Sequence, residues 1–203
     1  MNRRTVLLFA LLATAAVVAG ALLARLISPA SLQLEGGTWL PQPRSLSEFH
    51  LADLSNREFD LARLHGHPTL LFFGFTNCPD VCPTTLATLA QIQHNAPLPG
   101  AQVVFVTIDP QRDSTQNLTV YLAAFSKDFI GLRGEQAALT PLLKSLGAIA
   151  IRQNLPDGGY TMDHSATLYL LDTQARLVAV FSPPFSTQTL TSDLRHIAAA
   201  GRL

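Results

Sequence analysis

Apolar and polar residues follow two different patterns along this chain, one near the N-terminus and another after it. From Thr5 to Ala24, twenty consecutive residues carry no charge. A helix of that length spans about 30 Å, the thickness of the hydrocarbon layer of a membrane. The sequence therefore predicts one N-terminal transmembrane helix, and residues 1–27 are predicted to be a membrane anchor.

A cleaved signal peptide is the alternative interpretation of this segment, with Ala19-Gly20-Ala21 as its cleavage site. Signal peptides usually have apolar runs of about 7–15 residues, so the longer run favours a retained anchor. Arg3 and Arg4 precede the run, and this charge bias predicts a cytoplasmic N-terminus. Both interpretations place the rest of the chain in the periplasm, and a retained anchor crosses the inner (cytoplasmic) membrane once.

The remaining chain divides into a predicted tether, residues 28–46, which prolines and glycines interrupt repeatedly, and a predicted domain, residues 47–203. Continuous apolar runs at 69–75 and 102–108 predict buried strands, and apolar residues at helical spacing follow each run. The other predicted elements are a hairpin around Ser55-Asn56, helices beginning at Pro83 and at Ser114 or Thr115, a helix over 137–146, an antiparallel hairpin of 166–171 and 177–181, and a last helix over 187–200. This order predicts an α/β domain with a mixed central sheet flanked by helices.

The charge of the predicted domain and tether excludes one class of partner. The chain has 14 lysine and arginine residues and 14 aspartate and glutamate residues. Arg3, Arg4 and Arg25 lie in the predicted anchor, so the remainder carries 11 basic and 14 acidic residues. Because that remainder contains no run of basic residues, nucleic acid is not expected as a partner.

The two cysteines of the chain lie together in the segment Cys78-Pro79-Asp80-Val81-Cys82-Pro83. This segment joins a predicted strand to a predicted helix, where open α/β sheets place their ligand sites. A helix N-terminus favours the thiolate, the form that binds metals and attacks disulfides. A structural disulfide across so small a loop stabilises little, so a metal site and a redox pair are the two favoured interpretations.

A soft-metal site needs a third ligand, and imidazole suits copper, zinc and iron. His164 follows Asp163 directly before a predicted strand. From these residues alone, a metal ligand and an ordinary surface position are equally expected for His164. Met162 is interpreted as a packing residue rather than a soft ligand, and Asp80 as either a solvated acid or a residue that tunes the thiolates. The other five histidines are predicted to lie at the surface or the edge of the core: His50, His65, His67, His94 and His196.

The segment from Phe73 to Thr84, FGFTNCPDVCPT, resembles the signature of the SCO/SenC family of copper chaperones. Val106–Asp113 (VTIDPQRD) and Tyr160–Asp172, which contains Asp163-His164-Ser165, resemble further motifs of that family. The similarity extends from about Gly36 to Phe181. One departure is His67, where the family pattern leads us to expect a lysine.

This resemblance implies a thioredoxin-like fold and copper bound by Cys78, Cys82 and His164. It also implies a metallochaperone, rather than an enzyme, that delivers copper or maintains the ligand thiols during assembly of the copper centre of cytochrome c oxidase. The implied partners are the copper-bearing oxidase subunit, a copper donor and a thiol reductant. Cu(I) is the expected cargo, and Asp80 is an additional oxygen ligand available to Cu(II).

An enzyme is the alternative: a membrane-anchored thiol–disulfide oxidoreductase that uses Cys78 and Cys82 as its redox pair. Thioredoxin-type sites have two residues between their cysteines, whereas this chain has three. A peroxidase is a further enzyme hypothesis, but Pro79 occupies the position, three residues before Cys82, where peroxiredoxins have an activating threonine. Neither enzyme hypothesis requires His164.

Overall fold

The computed structural model describes residues 2–27, 32–95, 97–156 and 158–203, which form two compact units. The first unit contains helix α1 (Arg3–Ile27). Among the described residues, no helix is both long and apolar enough to cross a membrane, so the predicted transmembrane helix is not supported.

The second unit begins at Leu32 and contains ten strands in its described part. The strands are β1 (Gly37–Ser45), β2 (Leu51–Asp53), β3 (Glu58–Phe59), β4 (Thr69–Gly74), β5 (Gln102–Thr107), β6 (Ile130–Arg133), β7 (Ala150–Asn154), β8 (Tyr160–His164), β9 (Leu168–Leu171) and β10 (Arg176–Phe181). The helices are α2 (Val81–Asn95), α3 (Thr115–Ala123), α4 (Gln136–Leu146) and α5 (Thr187–Ala199), and Leu61–Arg63 forms a short 3-10 helix.

Eight of these strands form one sheet in the order β1-β10-β9-β4-β5-β6-β2-β3. Strand β5 is parallel to both of its neighbours, β4 and β6, and the other pairs are antiparallel. The predicted α/β domain with a mixed sheet is therefore confirmed. Strands β7 and β8 form a separate antiparallel hairpin.

The core lies on both faces of the central strands, because every residue of β4 is buried and only Gln102 of β5 is not. Phe72, Phe73 and Phe105 are fully buried, and each such side chain contributes about 1.5–3 kcal/mol of burial free energy. Helix α2 packs its buried face, which includes Leu86 and Leu89, onto this sheet. The carboxyl end of β4 is thereby held rigidly where α2 begins.

Of the predicted tether, residues 28–46, residues 28–31 lie outside the described residues, and Gly37–Ser45 form strand β1 at the edge of the sheet. Strand β1 pairs with β10, and its register shifts between Trp39 and Arg44, where Pro41 and Pro43 lie. Proline lacks an N–H donor and is tolerated at an edge or a bulge, so these prolines interrupt the pairing without ending the strand.

Candidate metal centre

The two cysteines lie at the predicted junction between a buried strand and a helix. Cys78 follows β4 in the connecting loop, and Cys82 lies in the first turn of α2. Both thiols are free; Cys78 is partly exposed and Cys82 is fully buried. The backbone N–H of Cys82 donates to Cys78 Sγ at 3.4 Å, so the loop turns back toward the helix and brings the two sulfur atoms together.

His164 ends β8 and brings a third soft donor to the cysteines. Its Nε2 atom lies 3.7 Å from Cys82 Sγ, and the ligand atoms of Cys78, Cys82 and His164 all lie within 4.8 Å of one another. His164 Nδ1–H donates a hydrogen bond to the carbonyl oxygen of Ser165 at 3.0 Å. This bond leaves Nε2 with its lone pair free to bind a metal.

Two aromatic rings fix the plane of the His164 imidazole. Phe72 and Phe75 contact it edge to face, with centroids 6.2 Å and 5.8 Å from its own. Both phenylalanines belong to the strand and loop that lead to Cys78, so one chain segment positions all three donors. The hydrogen-bond acceptor of the imidazole is thus a backbone carbonyl, that of Ser165, while Asp163 is exposed.

Gly74, the last residue of β4, leaves the space that the Cys82 sulfur occupies. A Cβ atom at this position would lie 2.9 Å from Cys82 Sγ and 2.8 Å from Cε2 of Phe105. Both distances are shorter than ordinary contacts, and a buried ring in a close-packed core has little room to move. Gly74 is therefore part of the site, although its backbone φ angle does not require glycine.

Asp113 anchors the cysteine loop to the end of β5. This fully buried carboxylate accepts hydrogen bonds from Thr76 Oγ1 at 2.5 Å, from Thr107 Oγ1 at 2.5 Å and from the backbone N–H of Thr76 at 3.1 Å. Hydrogen bonds to a charged acceptor are about twice as strong as neutral ones. The position of Thr76, two residues before Cys78, is therefore fixed by a residue of the next loop.

Arg112 holds the β7–β8 hairpin in place. Its Nη1 donates to the carbonyl oxygen of Tyr160 at 2.9 Å, and its guanidinium lies 3.8 Å from the centre of the Tyr160 ring. Asp109 forms an ion pair with Arg112 and accepts a hydrogen bond from the Tyr160 hydroxyl at 2.9 Å. This network connects the loop after β5 to the strand that carries His164.

Burial shifts the pKa values of two of the three candidate ligands, Cys82 and His164. Burial, with a smaller contribution from Cys78, raises the pKa of the Cys82 thiol well above its ordinary value. The N-terminus of α2 favours the thiolate, whereas burial acts in the opposite direction on Cys82. Burial also lowers the pKa of His164 from its ordinary value, which favours the neutral imidazole that binds metals.

The other candidate ligands lie apart from this cluster. Asp80 is exposed and accepts a hydrogen bond from Thr84 at 3.5 Å, and Met162 packs against the core, as its interpretation as a packing residue requires. His50 pairs with Glu58, and His67 contacts the carbonyl oxygen of Gly100.

Sequence reasoning assigned no role to Gly74, Asp113, Arg112 or Tyr160. All four lie in motifs that carried the family resemblance, but spacing alone does not reveal contacts between distant segments.

Two sulfur atoms and one imidazole nitrogen form a donor set that suits Cu(I) or zinc.

A family model described as SCO1/SenC matches residues 40–199. The SCO2-like protein of Rickettsia prowazekii is 34% identical over 138 residues, which are 66% of this chain and 67% of the relative. The structure of Bradyrhizobium japonicum ScoI with copper bound is 33% identical, with a TM-score of 0.66 over 74% of this chain and 98% of that one. The structure of Arabidopsis thaliana ScoI with copper bound is 28% identical, with a TM-score of 0.69 over 75% of this chain and 98% of that one.

The likeness to both copper-bound structures confirms the thioredoxin-like α/β fold. The chain thus belongs to the SCO1/SenC family.

Proposed function

We propose that this protein is a copper chaperone whose cargo binds between Cys78 Sγ, Cys82 Sγ and His164 Nε2 and is delivered to the copper centre of cytochrome c oxidase during assembly. The observation that carries the proposal is the convergence of these three soft donor atoms within 4.8 Å of one another. Membership of a family whose relatives include copper-bound proteins supports the choice of copper.

The three donors have different tasks in this proposal. Cys82 is fully buried and acts as the fixed ligand, whereas Cys78 is partly exposed and is reached first by an incoming donor atom. Cu(I) is the proposed oxidation state because two thiolate ligands are soft. For Cu(II), the exposed carboxylate of Asp80 is the proposed oxygen ligand, and it would have to turn toward the cluster from its hydrogen bond with Thr84.

The ligand role of His164 is tested by substitution. We expect His164→Ala to lower Cu(I) affinity at least about 100-fold, because loss of a direct ligand costs more than the 10–100-fold typical of residues that support ligands. His67→Ala and His94→Ala are matched controls and should keep the wild-type affinity. Competition with a chromophoric Cu(I) chelator measures the affinities, and circular dichroism checks the fold. An unchanged affinity in His164→Ala would remove this residue from the site.

Cu(I) affinity is expected to rise with pH through the neutral range. The Cys82 thiol, whose pKa is raised by burial, is protonated at pH 7 and loses its proton when copper binds. Each proton that a thiol releases on binding raises the affinity about tenfold per pH unit. His164, whose pKa is lowered by burial, is already neutral there and adds no release. Chelator competition between about pH 7 and 8.5 gives the slope, and a flat profile would contradict Cys82 as a ligand.

The thiol–disulfide oxidoreductase alternative has less support. A nucleophilic cysteine needs a lowered pKa and access to solvent, whereas Cys82 is fully buried and its pKa is raised by that burial. His164 also has no role in disulfide exchange, although its Nε2 lies 3.7 Å from Cys82 Sγ.

The cellular location and the partners are also proposals. We propose that the domain works on the periplasmic side of the inner membrane, where a copper donor, a thiol reductant and the copper-bearing oxidase subunit would meet it. Arg3 and Arg4 before the uncharged run Thr5–Ala24 support export of the domain. A reporter fused after Leu203 should be active outside the cytoplasm, and activity only inside it would overturn this location.

A further inference from the structure

Exposed apolar side chains are concentrated on one hairpin of the second unit. Among the residues described there, four large apolar side chains are largely exposed: Val120, Ile149, Ile151 and Leu155. Val120 lies on α3, whereas the other three lie on or beside β7. Single exposed apolar residues are ordinary, but three of them along one strand indicate a surface that another molecule covers.

These three side chains share one face of the β7–β8 hairpin. The backbone pairing continues past both ends of β7, because Ser165 N–H donates to the Ile149 carbonyl at 3.0 Å and Leu155 N–H to the Gly159 carbonyl at 2.8 Å. Alternate residues of a strand point to opposite faces, so positions 149, 151 and 155 point the same way. Asp163 is paired with Ile151, so its side chain points to the same face as these three residues. Gln153 and Thr161 are paired with each other and lie on the same face between Ile151 and Leu155. We call Ile149, Ile151, Gln153, Leu155, Thr161 and Asp163 the outer face.

The opposite face of the same hairpin carries His164. Tyr160, Met162 and His164 alternate with the outer-face positions of β8 and are partly buried, whereas Asp163 is exposed. His164 is paired with Ala150, which lies between Ile149 and Ile151. A protein bound to the outer face therefore touches the strand pair that holds one of the three proposed copper ligands.

The charge of the outer face indicates what kind of surface fits it. Asp163 is an exposed carboxylate beside Ile151, and it takes no part in the ion pairs found among the described residues. An apolar surface that bears a lysine or arginine complements this combination. A second copy of the chain fits less well, because a two-fold contact through this face would bring two Asp163 carboxylates into one apolar interface.

We propose that the outer face docks the protein that exchanges copper with Cys78, Cys82 and His164. That partner presents an apolar, basic surface beside its own accessible soft-metal ligands. This inference rests on the proposed function, because ligand exchange requires the two metal sites to approach within bonding distance. The outer face is on the side of the hairpin away from His164, so the partner's metal ligands must reach past the hairpin to the exposed side of Cys78.

The test uses the full-length protein loaded with Cu(I) and the soluble copper-bearing domain of the oxidase subunit from the same organism as acceptor. The variant is the double substitution I149E/I151E, and the matched control is V120E, since Val120 is at least as exposed as either isoleucine. Chelator competition gives Cu(I) affinity, and stopped-flow absorbance gives the transfer rate. We expect unchanged affinity in both variants and transfer at least about tenfold slower in I149E/I151E only.

Each result distinguishes the inference from the function on which it rests. Equal transfer rates in I149E/I151E and the wild type would overturn docking on the outer face while leaving copper delivery intact. A wild-type protein that binds no Cu(I), or passes none to the acceptor, would contradict the proposed function itself. A dimer in sedimentation analysis that I149E/I151E dissociates would assign the face to a second copy and overturn the proposed occupant.

Discussion

Oxidation of Cys78 and Cys82 to a disulfide is expected to abolish the binding of one Cu(I) ion per chain, and reduction is expected to restore it. The two sulfur atoms lie within 4.8 Å of each other and both thiols are free, so a short movement of the loop is enough to join them. A disulfide has no thiolate, and His164 alone is a weak Cu(I) site, so the soft ligands disappear together. Titration of oxidised and reduced protein against a chromophoric Cu(I) chelator measures this loss.

The matched control is Cys82→Ser, which lacks the buried ligand and cannot form the disulfide. It should bind Cu(I) far more weakly than reduced wild-type protein, and treatment with oxidant should change nothing further. Equal Cu(I) affinity of oxidised and reduced wild-type protein would show that the cysteines are not the ligands. Reduced protein that binds no copper but reduces a disulfide substrate would favour the oxidoreductase alternative. If the protein acts as proposed in an oxidising compartment, it therefore needs the proposed thiol reductant.

The central strands are the part of the fold that the sequence predicts best. Strands β4 and β5 are continuous apolar runs because helices and strands cover both of their faces, and such runs are visible without knowledge of the fold. Helix α4 is equally predictable from the sequence, since Gly147 ends it in the left-handed conformation that glycine adopts readily.

The edges of the fold are less predictable, because local sequence does not determine them. Strand β1 contains Pro41 and Pro43, which favour a loop, and its place in the sheet depends on pairing with β10. The buried carboxylate of Asp193 in α5 also accepts hydrogen bonds from the backbone N–H groups of Glu35 and Gly36, far away in sequence. Strands β7 and β8 alternate weakly between polar and apolar residues, since their outer face is exposed.

The candidate site also has a part that local sequence predicts and a part that depends on contacts between distant segments. A strand followed by a helix places Cys78 and Cys82 correctly, because that geometry is local. His164 reaches them only through the hairpin, so residues alone left its role open and the family resemblance selected it. The effect of burial on the Cys82 thiol could not be predicted from the sequence, because this burial depends on the space beside Gly74 and on the ring of Phe105.

Asp113→Ala is expected to cause the largest loss of stability among single substitutions near the site, about 3–5 kcal/mol in the free energy of unfolding. The substitution removes the shared acceptor of the buried Thr107 hydroxyl and of the partly buried Thr76 hydroxyl and N–H. Because Thr76 lies in the loop that leads to Cys78, Cu(I) affinity should fall as well. Asp113→Asn keeps one acceptor oxygen and should lose less stability.

Urea unfolding followed by circular dichroism measures these effects, and Asp128→Ala, which removes an exposed acid, is the matched control with an expected change within about 0.5 kcal/mol. The copper readout separates the two roles of Asp113: chelator competition at a urea-free, fully folded condition should still show weaker Cu(I) binding in Asp113→Ala. A loss of stability below 1 kcal/mol would mean that water or a shifted side chain replaces the carboxylate. Unchanged Cu(I) affinity in a folded Asp113→Ala protein would mean that the cysteine loop holds its shape without this anchor, and that the backbone bond between Cys82 and Cys78 Sγ is sufficient to position the sulfur atoms.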